Sequence, residues 1–243
     1  MRSVPEAEAS PSTLGFLPRL IGVIRCPRTT LRAVASSPRW VGLVAVLAVV
    51  TAASQALLFE TEVGQVALVD QWERTTLGFG QPVDEARYAE FQAYSAKGPL
   101  YGVATAIVAG PLLTMVLAAV IALVFGRGNR NVSFSQVLAV VAHASVILAV
   151  RLLVSAPVTY AREATGGATS LGLWFRALDA ASFAGRFVGA FDVFVLWWVV
   201  LLAIGVAVLY GRRARSLAAA FLGVYAVLAL LLAVTMTVLG GTA

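Results

Sequence analysis

Apolar residues gather in five long runs, about residues 40–59, 99–125, 134–160, 188–210 and 217–239. Each is long enough to cross a hydrocarbon core of roughly 30 Å as a helix rising about 1.5 Å per residue. The pattern predicts an all-α polytopic membrane protein, a bundle of five transmembrane helices. Ahead of the first run, Leu14, Leu17, Leu20, Ile21 and Ile24 recur at helical spacing, with Arg19, Arg25, Arg28 and Arg32 among them. Arginines beside an apolar face predict an N-terminal interfacial amphipathic helix in the headgroup layer, broken at Pro27. The rival reading is a cytoplasmic helix packed on the bundle. Residues 1–13, polar and holding Pro5 and Pro11, are expected to be a disordered tail. Residues 14–243 then form one membrane domain.

Local signals refine these elements. Ser133-Phe134-Ser135-Gln136 has the spacing of a capping box, in which Ser133 caps orphan backbone donors and Gln136 reaches back. Gly110-Pro111 predicts a kink, because Pro111 lacks a backbone donor and clashes with the preceding turn. Between the first two runs, residues 84–97 are expected to be helical, with Tyr88, Phe91 and Tyr94 on one face and Gly98 as a stop. Ser216 is a candidate cap for the last span. Gly185-x-x-x-Gly189 and Ala219-x-x-x-Gly223 have the spacing of close helix approach, a weak signal in an alanine-rich chain.

Composition agrees with a lipid-embedded chain. Of the 243 residues, 60% are hydrophobic and 12% charged, about half the charged share of soluble domains. The net charge of +6 does not indicate nucleic acid, because the arginines form no stripe with aromatics. One cysteine, Cys26, excludes an internal disulfide and a cysteine-based zinc site. It is read as an incidental thiol in a juxtamembrane stretch. The first apolar run is too long and too far along the chain for a removable leader. The lone lysine, Lys97, against many arginines points to a GC-rich, prokaryotic coding sequence.

Charge also predicts orientation. With the N-terminus in the cytoplasm, the inner segments hold Arg2, Arg19, Arg25, Arg28, Arg32, Arg39, Arg127, Arg130, Arg212, Arg213 and Arg215. The outer segments hold Arg74, Arg87, Lys97, Arg162, Arg176 and Arg186, and the first outer connector is rich in acids. Both short inner turns are purely basic. The positive-inside rule therefore places the N-terminus in the cytoplasm and the C-terminus outside.

Three ionisable residues fall inside the runs. Such groups are costly at membrane depth and are candidate functional sites. His143 is expected near the midplane, as a helix–helix hydrogen-bonding group or a proton relay. Arg151 and Asp192 are expected in the outer third, where they can pair across consecutive helices. The chain has no P-loop, no H-E-x-x-H, no G-x-S-x-G and no carboxylate pair set for acid/base work. No catalytic residue, metal or cofactor is predicted.

The segments Leu20-Ile-Gly-Val-Ile-Arg-Cys-Pro27, Ser133-Phe-Ser-Gln-Val-Leu138 with the following Ala139 to Ser145, and Phe191-Asp-Val-Phe-Val-Leu-Trp197 followed by Leu201-Leu-Ala-Ile-Gly205 resemble the Yip1 domain family over about residues 16–238. The resemblance implies a five-helix membrane domain with a cytoplasmic N-terminus and no catalytic residues. Its eukaryotic members are associated with Rab-type GTPases in vesicle traffic, a partner implied only for a eukaryotic chain. The expected function is a non-enzymatic scaffold or accessory subunit of a prokaryotic cell membrane. Its partners would be the lipid bilayer and other membrane proteins, or a second copy. The alternative is a small transporter or channel using His143, Arg151 and Asp192.

Overall fold

The computed structural model describes residues 15–127, 131–162, 167–175 and 178–240. Among these there is no β-strand, only an isolated bridge between Ser170 and Asp192. The protein is an all-α polytopic membrane protein. Five segments are long and apolar enough to span a bilayer: Val41–Phe59, Gly98–Phe125, Phe134–Arg162, Val193–Tyr210 and Ala214–Gly240.

In chain order the helices are α1 (Phe16–Arg25), α2 (Pro27–Ser36), α3 (Val41–Phe59), α4 (Glu62–Gly78), α5 (Glu85–Ser95) and α6 (Gly98–Ala104). They continue as α7 (Gly110–Phe125), α8 (Phe134–Ala144), α9 (Val146–Arg162), α10 (Phe183–Gly189), α11 (Val193–Tyr210) and α12 (Ala214–Gly240). The centre is formed by α8 and α11, and α2 packs against both. Leu31 and Val34 of α2, Val137, Val140 and Val141 of α8, and Leu201 and Val206 of α11 are all essentially inaccessible. Burying each such side chain stabilises the fold by roughly 1.5–3 kcal/mol.

The N-terminal segment is amphipathic, and one of its faces packs on the bundle. Pro27 does break it, standing at the start of α2 where a missing N–H costs nothing. The two halves fold back as a hairpin so tight that a Cβ on Gly22 would lie 2.5 Å from Thr30 Oγ1. Arg19 turns inward and is 5% exposed. Its guanidinium donates to Ser37 O at 3.2 Å and Ser37 Oγ at 2.7 Å. Phe16, Leu17, Ile21 and Ile24 remain exposed on the other face of α1. The segment thus has two apolar faces, one docked on the bundle and one free.

Three boundaries move for physical reasons. Span four begins at Val193, not 188, because Asp192 caps α11 and Phe183–Gly189 forms a separate short helix. The distortion expected at Pro111 falls one turn earlier, as a π-helical turn at Thr105–Ala109. An extra residue in that turn absorbs the clash between the proline ring and the carbonyl four residues back. The last span begins at Ala214, so Ser216 lies within it and caps nothing. The acid-rich connector also holds a helix with no clear sequence signal, α4.

Close helix approach occurs elsewhere than the small-residue spacings suggested. Gly223 and Gly189 have open space where a Cβ would stand, and Gly185 abuts Asp179 O of its own loop. The tight crossing is Gly205, where a Cβ would lie 2.3 Å from Val140 Cγ1. Val140 is fully buried and β-branched, so it cannot swing aside. Gly205→Ala is expected to destabilise the protein by about 1–3 kcal/mol. Gly223→Ala is expected to be neutral or slightly stabilising. Thermal unfolding of both variants in detergent checks this.

Candidate functional site

The candidate site is a polar cluster where α9 meets the start of α11. Asp192 sits at the N-cap of α11, with extended backbone. Its Oδ1 accepts from Phe194 N at 2.9 Å and Val195 N at 3.2 Å. Its Oδ2 accepts from Arg151 Nε at 2.7 Å and from the Thr169 hydroxyl. Four donors on two oxygens fill the carboxylate's capacity. The Arg151 side chain is 43% exposed and that of Asp192 only 10%, so Asp192 is the buried partner.

Local backbone explains why Thr169 is present. Leu171 N donates to Phe191 O at 2.7 Å and Val193 N to Thr169 O at 3.2 Å, forming the isolated bridge. Ser170 Oγ donates to Gly189 O at 2.8 Å and in turn accepts from Gly172 N at 3.0 Å. Residues 169–173 are therefore strapped beside 189–193. Tyr225 Oη donates to Ala190 O at 2.6 Å near the middle of α12. Arg186 of α10 donates to Met236 O farther along the same helix. The chain before α11 thus runs along the later half of α12, and α11 starts partway through the bundle. The Arg151–Asp192 pair lies at that level.

His143 is 2% exposed on α8. Its Nδ1 lies 2.7 Å from Ala139 O of the same helix, so the proton is assigned to Nδ1. The bond returns to its own helix rather than crossing to a neighbour. Its neighbour Ala142 and, a turn on, Val146 of α9 pack with Leu43, in the first turn of α3. His143 is therefore level with the start of α3, and the first turns of α8 extend past that start to meet α2.

The remaining candidates are structural in placement. Ser133 and Gln136 form the capping box, with Gln136 N to Ser133 Oγ at 3.3 Å and Ser133 N to Gln136 Oε1 at 2.8 Å. Gln136 Nε2 also donates to Ala35 O at 2.9 Å, satisfying a carbonyl in the last turn of α2. Gly110 has open space around it and Pro111 stands in the first turn of α7. Arg127, Arg212, Arg213 and Arg215 are exposed at the end of the bundle that carries α1 and α2. Arg130 lies outside the described residues. Desolvation, and second the charge of Arg39, lower the pKa of Arg19 from its ordinary value. An arginine so placed stays charged.

No local pattern in the sequence marks Thr169, Ser170, Tyr225, Arg186 or Ser37 as partners. Their contacts span up to 51 residues of chain and leave no mark in spacing. Among the described residues no cluster of His, Cys, Asp or Glu is placed to hold a metal ion.

The family model described as Yip1 domain matches residues 21–236. No curated protein and no solved structure matches. The chain belongs to the Yip1 domain family.

The geometry separates two roles of Asp192. Asp192→Asn keeps a capping oxygen and removes the charge, whereas Asp192→Ala removes both. Asp192→Ala is expected to cost about 0.5–2 kcal/mol more than Asp192→Asn. A double-mutant cycle of Arg151→Gln with Asp192→Asn is expected to show coupling of about 0.5–3 kcal/mol. Thermal unfolding in detergent measures both quantities, and an additive cycle would leave the ion pair no role.

Proposed function

We propose that this Yip1-domain chain is a non-enzymatic membrane scaffold or accessory subunit that works through its lipid-facing and partner-facing helix surfaces. The observation that carries the reading is the contrast between its spans. Val41–Phe59, Gly98–Phe125 and Ala214–Gly240 each bury only 11% of their apolar window within the chain, against 56% for Phe134–Arg162. Three spans therefore offer nearly whole lateral faces to lipid or to other transmembrane helices. Exposed Leu113, Val116 and Val120 on α7 and Val224, Val227 and Leu231 on α12 typify them. The ionisable groups at depth are engaged in capping, strapping and intrahelical bonding, which favours support over transport.

The exposed face of α1 extends this surface. Phe16, Leu17, Ile21 and Ile24 lie beside exposed Arg25, Arg28 and Arg32. Apolar insertion with arginines nearby suits the surface of an anionic leaflet, with about 1 kcal/mol of attraction per basic residue. Together with exposed Arg127, Arg212, Arg213 and Arg215 this supports a cytoplasmic α1–α2 end in a prokaryotic cell membrane.

Two measurements test this. Cys26 is exposed at the α1–α2 joint and is the one cysteine of the chain. A membrane-impermeant thiol reagent applied to intact cells is expected to leave it unlabelled until the membrane is opened. Photo-crosslinkers at Leu113 or Val227 in native membranes are expected to trap one defined membrane protein, or a second copy, reproducibly. Solute flux in proteoliposomes that disappears in His143→Ala or Asp192→Asn would replace the scaffold reading with transport.

A further inference from the structure

At the end of the bundle opposite α1–α2, the α4–α5 pair covers the junction of α3 and α6. Between α4, α5 and α6 lies a cavity of about 460 Å³ lined by Trp72, Thr75, Thr76, Arg87, Glu90, Phe91, Tyr94, Lys97 and Tyr101. That volume is within the range of ligand pockets, roughly 300–1,000 Å³. We infer that this cavity binds the headgroup and first methylenes of an anionic phospholipid. The inference does not depend on the scaffold reading.

The wall is aromatic. Trp72 packs on Phe91 at 6.0 Å and edge-on to Tyr101 at 6.2 Å between ring centroids. Thr75 and Thr76 spend their hydroxyl hydrogens on carbonyls of their own helix, leaving lone pairs and methyl groups to the space. A wholly polar solute would leave this wall unmatched.

The charge is positive. Arg87 lies over the Phe91 ring at 5.1 Å and Lys97 over the Tyr94 ring at 5.6 Å. Each cation therefore occupies an aromatic face that a quaternary ammonium would need. The connector holds seven acids, Glu60, Glu62, Asp70, Glu73, Asp84, Glu85 and Glu90, yet only Glu90 lines the cavity. Glu90 is neutralised by Arg87 at 2.8 Å. Lys97 has no carboxylate partner among the described residues, so the lining has a net positive charge centred on its ammonium. Acids farther off are screened beyond about 8–10 Å at physiological salt.

Position selects a lipid over a free solute. Tyr101 and Leu100 belong to the first turns of the Gly98–Phe125 span and are 51% and 70% exposed. The cavity therefore opens beside a lipid-facing helix at its interfacial end, where a phosphate reaches Lys97 while the acyl chains stay in the bilayer. Aromatic rings that are part apolar and part polar favour that zone.

Trp72 supplies the readout. The full-length protein in detergent is titrated with phosphatidylglycerol or phosphatidylcholine carrying brominated acyl chains, and the fluorescence quenching lost in Trp72→Phe is taken as the signal from the cavity. That signal is expected at a concentration at least about tenfold lower for phosphatidylglycerol, the effect of one charge-assisted contact. Lys97→Glu and Lys97→Gln are expected to erase the preference while melting as the parent does. Inorganic phosphate is expected not to displace the lipid. Equal response to the two lipids, or a preference that survives both Lys97 variants, would overturn the assignment. Displacement by phosphate alone would also overturn it, making the occupant a free anion.

Discussion

A helix can begin inside an apolar bundle only if its first backbone donors find acceptors, since neither lipid nor packed apolar side chains can supply them. The Asp192 carboxylate meets that requirement for α11. One oxygen takes two orphan N–H groups and the other takes Arg151 and Thr169. The desolvated charge is thereby shared among four donors. Span four can then start partway through the bundle, and the preceding segment can fold along α12. Ser170, Tyr225 and Arg186 repeat the rule for the carbonyls of Gly189, Ala190 and Met236.

The same rule operates where α2 meets α8. Gln136 completes the capping box of its own helix and donates its amide to Ala35 O. A start of one helix is thus tied to the end of another by a single side chain. Around that tie, Leu31 and Val34 enter the groove between α8 and α11, and Gly205 lets α11 approach Val140. The α1–α2 hairpin is part of the core, so its position relative to the spans is fixed by packing and not by lipid alone.

Much of this architecture is legible in the sequence. The five spans, the break at Pro27 and the Ser133–Gln136 cap follow from apolar runs and local side-chain chemistry, which act over a few residues. The start of span four is not legible, because Val188 extends the apolar run while the start depends on a carboxylate whose partners lie 23 and 41 residues away. Residue counting treats every helix as starting at one plane, whereas α8 starts beyond α3 to meet α2. Arg19 reads as a surface arginine until the hairpin closes and brings Ser37, 18 residues on, to its guanidinium. The aromatic cavity is half legible, with Phe91 and Tyr94 on one face of a helix and Trp72 in a stretch without clear period. Non-local polar contacts are what the one-dimensional pattern omits.

The π-helical turn at Thr105–Ala109 gives the second span two different neighbours. Before it, α6 lies against α3, closely enough that a Cβ on Gly102 would meet Gln55 Cβ at 2.8 Å. After it, α7 lies against α8 and barely touches α3. One inserted residue rotates the downstream half by about 100° relative to an uninterrupted helix. The turn therefore acts as a fixed swivel, letting one continuous span join the peripheral pair α3–α6 to the central hub without a loop in the bilayer.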